Sequence, residues 1–563
     1  MKKRILLIVA LGLVAAMASG CALMDLLTMM NETARLEVPV IADDDNGVLT
    51  TQLPLATSMP MPVIEAEEDV AYEFAANAPM MGVALTDGMP MDFNTEEYAQ
   101  VTENGFKNVA TSPLSTFSAD VDTATYCNLR RMLNAGWDPD DIPSCSVRVE
   151  EMLNYFRYDF VRPGDDRKFG VTTQISGCPW NKASKLLLLG VRAADAPEIS
   201  ADGSNLVFLI DVSGSMDEPD KLGLVKQALT LLTEQLTDQD TLSICTYSDG
   251  ERILIEGAKP QTDRVKLLSA IDALEAGGYT DGQRGLAQAY EVAMRYYRPH
   301  GNNRVIMCSD GDLNVGITST SDLHDFVSEK KETGVYLSVL GFGSGNYKDT
   351  KMETLADDGN GNYYYIDSIL EARKVLVEEM TQTLYAVADD VKFQIEFNPA
   401  KVSAWRQVGY ENRALADEDF ENDAKDAGEV GAGACVVVLY ELIPAGETPE
   451  DSGLRYQTGA LTEAAQSGEW LTLSIRYKEP GGQDSRLETV PVGDGDVTEA
   501  PSEDFLFASA VAEFGMILGR SEFIGQTDYS DVLDLLKQTK LSDDYREELF
   551  SLVKIAQRKE RLR

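Results

Sequence analysis

The middle of this 563-residue chain predicts an α/β fold, a doubly wound parallel sheet with helices on both faces. Between residues 200 and 390, short runs of apolar and β-branched residues alternate with segments of helical periodicity. The runs are apolar almost throughout, which is typical of parallel strands buried on both faces. The length is enough for two to four domains, each with its own core.

Five strands and five helices make up this predicted domain. The strands are expected at residues 206–211, 241–247, 304–309, 335–341 and 363–366, and the helices at 221–236, 264–274, 284–297, 321–331 and after Ser368. Doubly wound sheets bind ligands beyond the carboxyl ends of their strands. That edge is therefore where a functional site is expected.

Polar residues collect at this edge. Asp211, Ser213 and Ser215 form a D-x-S-x-S set where the first strand enters a loop, and a glycine turn can aim their oxygens at one point. Thr280 and Asp310 offer two more oxygens near strand ends or helix starts. Oxygen ligands of this kind suit Mg²⁺, Mn²⁺ or Ca²⁺.

In these five positions the chain resembles the von Willebrand factor type A (VWA) domain and its metal-ion-dependent adhesion site. The resemblance implies a Rossmann-like sheet and a divalent cation, most of all Mg²⁺. In the family, the serine and threonine oxygens bind the ion directly or through water, and the aspartates bind through water or hydrogen-bond the ligands. One coordination position stays open for a partner, often for its carboxylate.

Four neighbouring residues, Tyr279, Asp281, Arg284 and Asp312, are expected near the ion as possible ligand contacts. In the family the threonine is commonly followed by Asn or a small residue and by a helix start of small residues, whereas here Tyr279, Asp281 and Arg284 flank Thr280. Asp281 could strengthen cation binding, whereas Arg284 could weaken it or grip an acidic partner. The alternative interpretation is that the serines and aspartates only cap a helix and form a turn, which explains one or two of the five positions.

The regions on either side predict further domains. Residues 105–199 are expected to form a strand and two amphipathic helices and then strands, residues 391–500 show the alternation of a half-buried antiparallel sheet, and residues 501–563 are expected to be helical. One face of the helical region is expected to be apolar and to carry Phe505, Phe507, Val511, Phe514 and Ile517. Strands near 168–193 are predicted to pair with those of 391–492 in one β-sandwich. The VWA domain, residues 200–390, would then be inserted on a stalk of two stems that could transmit movement of its last helix.

The flanking regions are similar to the YfbK-like subfamily of VWA lipoproteins. The segments that carry this similarity are PLSTFSADVDTATY, VRVEEMLNYF, CPW and FNPAKVSAWRQVGYENRALADEDF. This similarity extends over about residues 105–563.

Residues 1–20 read as a signal peptide, with a basic start, thirteen mostly apolar residues and small residues before Cys21. The apolar run is too short to cross a hydrocarbon core of about 30 Å. The position of Cys21 resembles a lipobox, which implies cleavage before Cys21 and its acylation; the alternative is a plain signal peptide with an incidental cysteine. A lipid would then be the only membrane anchor, and the expected location is extracytoplasmic, on a bacterial outer membrane or cell surface.

Residues 21–104 are predicted to be a flexible, acidic tether. From residue 22 onward they contain sixteen Asp and Glu and one basic residue, Arg35. Such a segment cannot bury enough apolar surface to offset its chain entropy. It also holds nine of the nineteen methionines. Thioethers can bind Cu(I), so a copper site is an alternative to a tether that is merely rich in methionine.

The composition excludes several functional classes. The net charge is −44 and no cluster of Lys and Arg offsets it, which argues against binding nucleic acid or anionic lipid headgroups. Only His300 and His324 are present, which disfavours histidine chemistry and histidine-rich metal sites. Cys127 could form a disulfide with Cys145 or Cys178.

The sequence therefore predicts a non-enzymatic, lipid-anchored envelope protein that binds a protein partner through a divalent cation. The partner would present an acidic side chain to the ion. One alternative is a metal-assisted hydrolase, or an accessory subunit of an envelope enzyme, that uses the ion to activate water. Another is a purely structural envelope protein with a relic metal site.

Overall fold

The computed structural model describes residues 98, 100, 102–196, 203–278, 282–311, 320–331, 333–344, 349–425, 427–446 and 462–562. The predicted signal peptide, Cys21 and nearly all of the tether, including its methionines, lie outside these residues. Within the described residues, no helix combines the length and the apolar character needed to cross a membrane.

The region before the central domain contains strands and two helices, as predicted. They are β1 Lys107–Asn108, β2 Leu114–Ser118, α1 Ala124–Asn134, α2 Val149–Asn154, β3 Phe169–Gly177 and β4 Lys185–Ala193.

The central domain alternates strands and helices. Its elements are β5 Ser204–Asp211, α3 Leu222–Gln235, β6 Thr241–Tyr247, β7 Glu251–Ala258, α4 Arg264–Asp272, α5 Gly282–Arg295, β8 Asn302–Ser309, α6 Thr320–Lys331, β9 Tyr336–Phe342, α7 Asp349–Asp358, β10 Tyr363–Ile366, α8 Ile369–Arg373, a π-helical turn Lys374–Glu378 and α9 Met380–Leu384. The strand order is β10-β9-β8-β5-β6-β7. All neighbours pair in parallel except β7, which is antiparallel to β6.

The last part of the chain returns to antiparallel strands and ends in three helices. These elements are β11 Ala386–Phe397, β12 Val402–Val408, β13 Gly428–Gly431, β14 Cys435–Pro444, β15 Glu469–Lys478, β16 Ser485–Gly493, α10 Glu503–Leu518, α11 Tyr529–Leu536 and α12 Asp544–Arg561.

The predicted sandwich joins strands from both sides of the central domain. One sheet has the order β1-β12-β14-β4-β3, and the other contains β13-β11-β15-β16 with β2 paired to β11. Strand β4 alternates between two cores: Leu187 and Leu189 point into the sandwich, whereas Leu186 and Leu188 face the helical core. The period of two residues thus buries both faces of this strand.

Strand β5 is also buried on both faces. Phe208 and Ile210 pack in one core and Val207 and Leu209 in another, all with 0% exposure. Helix α10 differs from the prediction because its buried positions, which include Ala508, Ser509 and Ala512, are not confined to one apolar face.

The central domain begins and ends at the sandwich, where the hydroxyl groups of Ser204 and Tyr385 lie 2.8 Å apart. It is also held along one side, by contacts that the sequence does not predict. Arg130 of α1 pairs with Glu371 of α8, and Arg413, after β12, pairs with Glu353 of α7. The structure therefore fixes this domain at its side as well as through its two stems.

The described cysteines, Cys127, Cys145 and Cys178 among them, are free thiols. Neither possible disulfide of Cys127 is present in the structure.

Candidate metal site at the carboxyl edge of the central sheet

Two central strands bring their carboxyl ends together. Strands β5 and β8 are parallel neighbours, with Ile210 opposite Cys308. Asp211 is the last residue of β5, and Asp310 directly follows β8. Both side chains are buried, with 0% and 1% exposure. The two predicted aspartates therefore meet at the edge where the sequence placed the site.

The loop after β5 turns back over Asp211. The Ser213 backbone N–H donates to Asp211 Oδ1 at 2.9 Å, and the Ser213 and Ser215 Oγ atoms lie 3.1 Å apart. Ser309, which was not predicted, donates from Oγ to Asp211 Oδ2 at 3.2 Å. The D-x-S-x-S residues thus converge on one point, and the hydroxyl of Ser309 holds the carboxylate in place.

Thr280 lies outside the described residues, but the chain just before it is fixed at this loop. The Gly214 N–H donates to the Gly278 carbonyl at 3.0 Å, and the Gly277 N–H donates to the Val212 carbonyl at 2.7 Å. Gly278 adopts a φ of +87°, and a Cβ atom there would lie 2.6 Å from an oxygen of Asp249. Glycine at this position allows the turn that leads to Thr280.

The other predicted contacts are only partly described. Tyr279, Asp281 and Asp312 lie outside the described residues. Arg284 is exposed in the first turn of α5. The predicted roles of these four residues stay predictions.

The electrostatics of the site favour a cation. The pKa of Asp211 is raised to about 6, mainly by burial and also by the charge of Asp310, although hydrogen bonds from Ser213 act to lower it. Two buried carboxylates side by side are unfavourable without positive charge between or beside them. The donor atoms are all oxygen, the chemistry that Mg²⁺, Mn²⁺ and Ca²⁺ prefer. Asp211, Ser213, Ser215 and Asp310 therefore fit such an ion.

Lys221 is the main residue that the sequence interpretation missed. Its side chain is buried, and its Nζ donates to Asp310 Oδ2 at 3.2 Å and to the Ser215 carbonyl at 2.9 Å. It directly precedes α3, where the helix dipole disfavours a positive charge. The sequence marks it only as a lysine at a predicted helix start, which does not show where the side chain goes.

A second cluster could be mistaken for a metal site. One potential ligand atom each from Cys127, Asp367 and Glu371 lies within 4.8 Å of the others. Arg130, however, donates to Asp367 Oδ2 and to Glu371 Oε2, both at 2.8 Å. The guanidinium already supplies the positive charge, so this cluster joins α1 to the end of the central domain.

Comparisons with known proteins identify the family of this chain. Family models described as "von Willebrand factor" and "von Willebrand factor type A domain" match residues 92–188 and 205–379. A model described as "Uncharacterized protein YfbK, C-terminal" matches residues 382–558. The "Uncharacterized protein YfbK" of Escherichia coli (strain K12) is 40% identical over 472 residues, which cover 82% of this chain and 81% of that protein. The chain belongs to the YfbK family of VWA proteins.

Other similarities are more distant. Inter-alpha-trypsin inhibitor heavy chain H3 of Homo sapiens is 26% identical over 174 residues, or 29% of this chain and 19% of that protein. The solved structure "von Willebrand factor type A from Catenulispora acidiphila" is 16% identical, with a TM-score of 0.39, and covers 71% of this chain and 91% of its own. The match of the family model to residues 205–379 shows that the central domain is a VWA domain, a type that commonly binds a divalent metal at an adhesion site.

Proposed function

We propose that this protein binds a protein partner through a divalent cation, first of all Mg²⁺, held by Asp211, Ser213, Ser215, Thr280 and Asp310. The observation that carries the proposal is the convergence of the four described members of this set at the carboxyl ends of β5 and β8. An oxygen-rich site with few direct carboxylates leaves the ion partly uncompensated, so an acidic side chain of the partner can complete its coordination.

The position of the site supports binding to a macromolecule. Ser204, beside the stems, and Asp211, at the site, are the first and last residues of the eight-residue strand β5. At about 3.3 Å per residue, some 23 Å of strand separates them. The site therefore lies at the opposite edge of the sheet from the connection to the sandwich. VWA domains are generally interaction modules, and we propose a non-enzymatic role.

We further propose that the protein is held at a bacterial outer membrane or cell surface by a lipid on Cys21. The acidic segment of residues 21–104 would extend the folded part away from that surface, because like charges repel. The net charge of −44 supports a protein partner rather than nucleic acid.

Calorimetric titration tests the metal site. Mg²⁺ and Mn²⁺ are titrated into metal-stripped full-length protein, into Asp211→Ala and into Asp217→Ala, whose carboxylate is exposed in the same loop. Saturable binding should be lost in Asp211→Ala and kept in Asp217→Ala. Equal binding by wild type and Asp211→Ala would contradict the assigned site.

Partner binding is tested by capture from envelope extract in Mg²⁺ and in excess EDTA. A protein retained by wild type and by Asp217→Ala in Mg²⁺ should be absent with EDTA and with Asp211→Ala. Capture by Asp211→Ala in EDTA would show that the partner uses another surface.

Lipid attachment is tested by labelling cells with a radioactive fatty acid. Label should enter wild type and Cys435→Ser but not Cys21→Ser. Incorporation into Cys21→Ser would refute the anchor.

A further inference from the structure

The ammonium group of Lys221 lies among the proposed metal ligands. Its two acceptors, Asp310 Oδ2 and the Ser215 carbonyl, belong to two of the residues that define the site. The ion pair with Asp310 is buried, with side-chain exposures of 5% for the lysine and 1% for the aspartate. A buried ion pair persists only where its geometry repays the loss of hydration, so this lysine is placed with precision.

The fold forms a slot for the lysine side chain. Gly343, just after β9, has a φ of +80°, and a Cβ atom there would lie 2.4 Å from both Cγ and Cε of Lys221. Tyr365 of β10 fixes this glycine by donating to its carbonyl oxygen at 2.6 Å. Any side chain at position 343 would displace the lysine. The absence of a Cβ atom therefore gives the aliphatic stem its path to the site.

The charges of the described side chains at the site balance only in part. Asp211 and Asp310 contribute two negative charges, and Lys221 contributes one positive charge. With these three side chains alone the charge is −1, and a divalent cation changes it to +1. The lysine thus reduces the negative charge that attracts a metal ion, and its ammonium group repels the ion when the ion binds.

We infer that Lys221 is a tethered cation that holds the adhesion site together without metal and competes with the divalent ion for it. This inference rests on the proposed function, since it concerns the same site. Wild-type affinity for Mg²⁺ is consequently weak, and the metal-bound site carries a positive charge that favours an acidic partner. Binding of the metal and binding of the partner then favour each other, because the partner's carboxylate neutralises the positive charge of the metal-bound site.

The experiment compares metal affinity in variants that change the charge of Lys221. Lys221→Met keeps the length of the stem, Lys221→Gln is a second neutral variant, and Lys221→Arg keeps the charge. The matched control is Lys226→Met, because Lys226 lies on α3 and donates to the Asp272 carbonyl. Mg²⁺ and Mn²⁺ are titrated calorimetrically into each metal-stripped, full-length protein.

The neutral variants should bind either ion about tenfold more tightly, or better, than wild type. Lys226→Met and Lys221→Arg should stay within about twofold of wild type. Thermal unfolding gives a second readout. EDTA should lower the melting temperature of Lys221→Met well below its value in saturating Mg²⁺, whereas wild type should respond little.

The outcomes separate this inference from the proposed function. Binding by wild type with equal or weaker binding by both neutral variants overturns the role of Lys221 and leaves the metal site standing. No binding by any protein overturns both. A neutral variant that folds only with Mg²⁺ supports the inference, because the ion then replaces the ammonium. Failure of both neutral variants to fold even in excess Mg²⁺ overturns it, because the lysine is then a structural support that metal cannot replace.

Discussion

Replacing Arg413 by methionine should loosen the VWA domain from the sandwich. Arg413 follows β12 and contacts four carboxylates: Asp120 at 2.9 Å, Asp122 at 3.0 Å, Glu353 at 3.1 Å, and Asp357. The first two belong to the segment after β2, and the other two to α7 of the VWA domain. One guanidinium thus joins three parts of the chain.

The burial of these groups sets the size of the effect. The side-chain exposures are 11% for Arg413, 1% for Asp120, 6% for Asp122 and 10% for Glu353, whereas Asp357 is 40% exposed. Methionine would leave Asp120 and Asp122 buried without this cation, whereas Glu353 keeps its ion pair with Arg148 at 3.1 Å. Removing one partner of a buried ion pair typically costs about 3–5 kcal/mol, and we expect a loss of this size. The exposed Asp357 adds little, because water screens its charge.

Urea unfolding followed by two probes tests this prediction. The four tryptophans lie outside residues 200–390, so their fluorescence reports the flanking regions, while far-UV circular dichroism reports the whole chain. In Arg413→Met the two transitions should separate, because the VWA domain loses support from its neighbours. The control is Arg264→Met, whose surface pair with Glu234 should contribute less than about 1 kcal/mol. A loss in Arg413→Met no larger than in this control, with coincident transitions, would refute the reasoning.

Two further predictions concern the helical region. Burial raises the pKa of Glu513 to about 8 from its usual 4.5, and Asp531 adds to the rise. Because the folded protein holds this proton more tightly, stability should fall as the pH rises from about 5 to about 8, at about 1.36 kcal/mol for each unit of the pKa difference. The advantage of Glu513→Gln over wild type in urea unfolding should therefore grow by up to a few kcal/mol over that range, and a constant difference would contradict the cause. Ser502 Oγ accepts the Phe505 N–H at 3.2 Å and caps α10. Ser502→Ala should therefore lower the free energy of unfolding in urea by about 1 kcal/mol. The control is Ser542→Ala, one residue before the cap of α12, whose free energy of unfolding should stay within about 0.5 kcal/mol of wild type.

The strongest local patterns predicted the fold and much of the site. The residues just before Asp211 are all apolar, and polar residues follow them. This change predicted both strand β5 and the edge of the sheet where a site is expected. Strand β7 was not predicted because its first four residues are exposed and show no alternation. Among the described strands it lies at the edge of the sheet, where it pairs with β6. A mostly exposed strand at the edge of a sheet does not need alternating apolar and polar residues, so its sequence gives little sign of it.

Contacts between distant segments could not be read from the sequence. Arg413 and Asp120 are 293 residues apart, and no spacing rule relates an arginine in a turn to an aspartate after another strand. Helix α10 was assigned one apolar face, but neighbours cover more of it, because its alanines and Ser509 allow close packing. Lys221 was missed for a related reason. A lysine beside a helix is ordinary in sequence, and only the glycine at position 343, far along the chain, shows where its side chain goes.

The excess of acidic residues explains why single cations matter so much in this protein. There are 93 Asp and Glu against 49 Lys and Arg, so a buried cation commonly meets several carboxylates at once. Arg130 pairs with three carboxylates and Arg413 with four. Removing one carboxylate from such a group leaves its cation paired, whereas removing the cation leaves several buried charges unpaired. The candidate metal site follows the same pattern, because among its described side chains Lys221 is the cation that lies beside the two carboxylates of Asp211 and Asp310. The divalent ion that we propose there would be a second cation for the same carboxylates, in competition with Lys221.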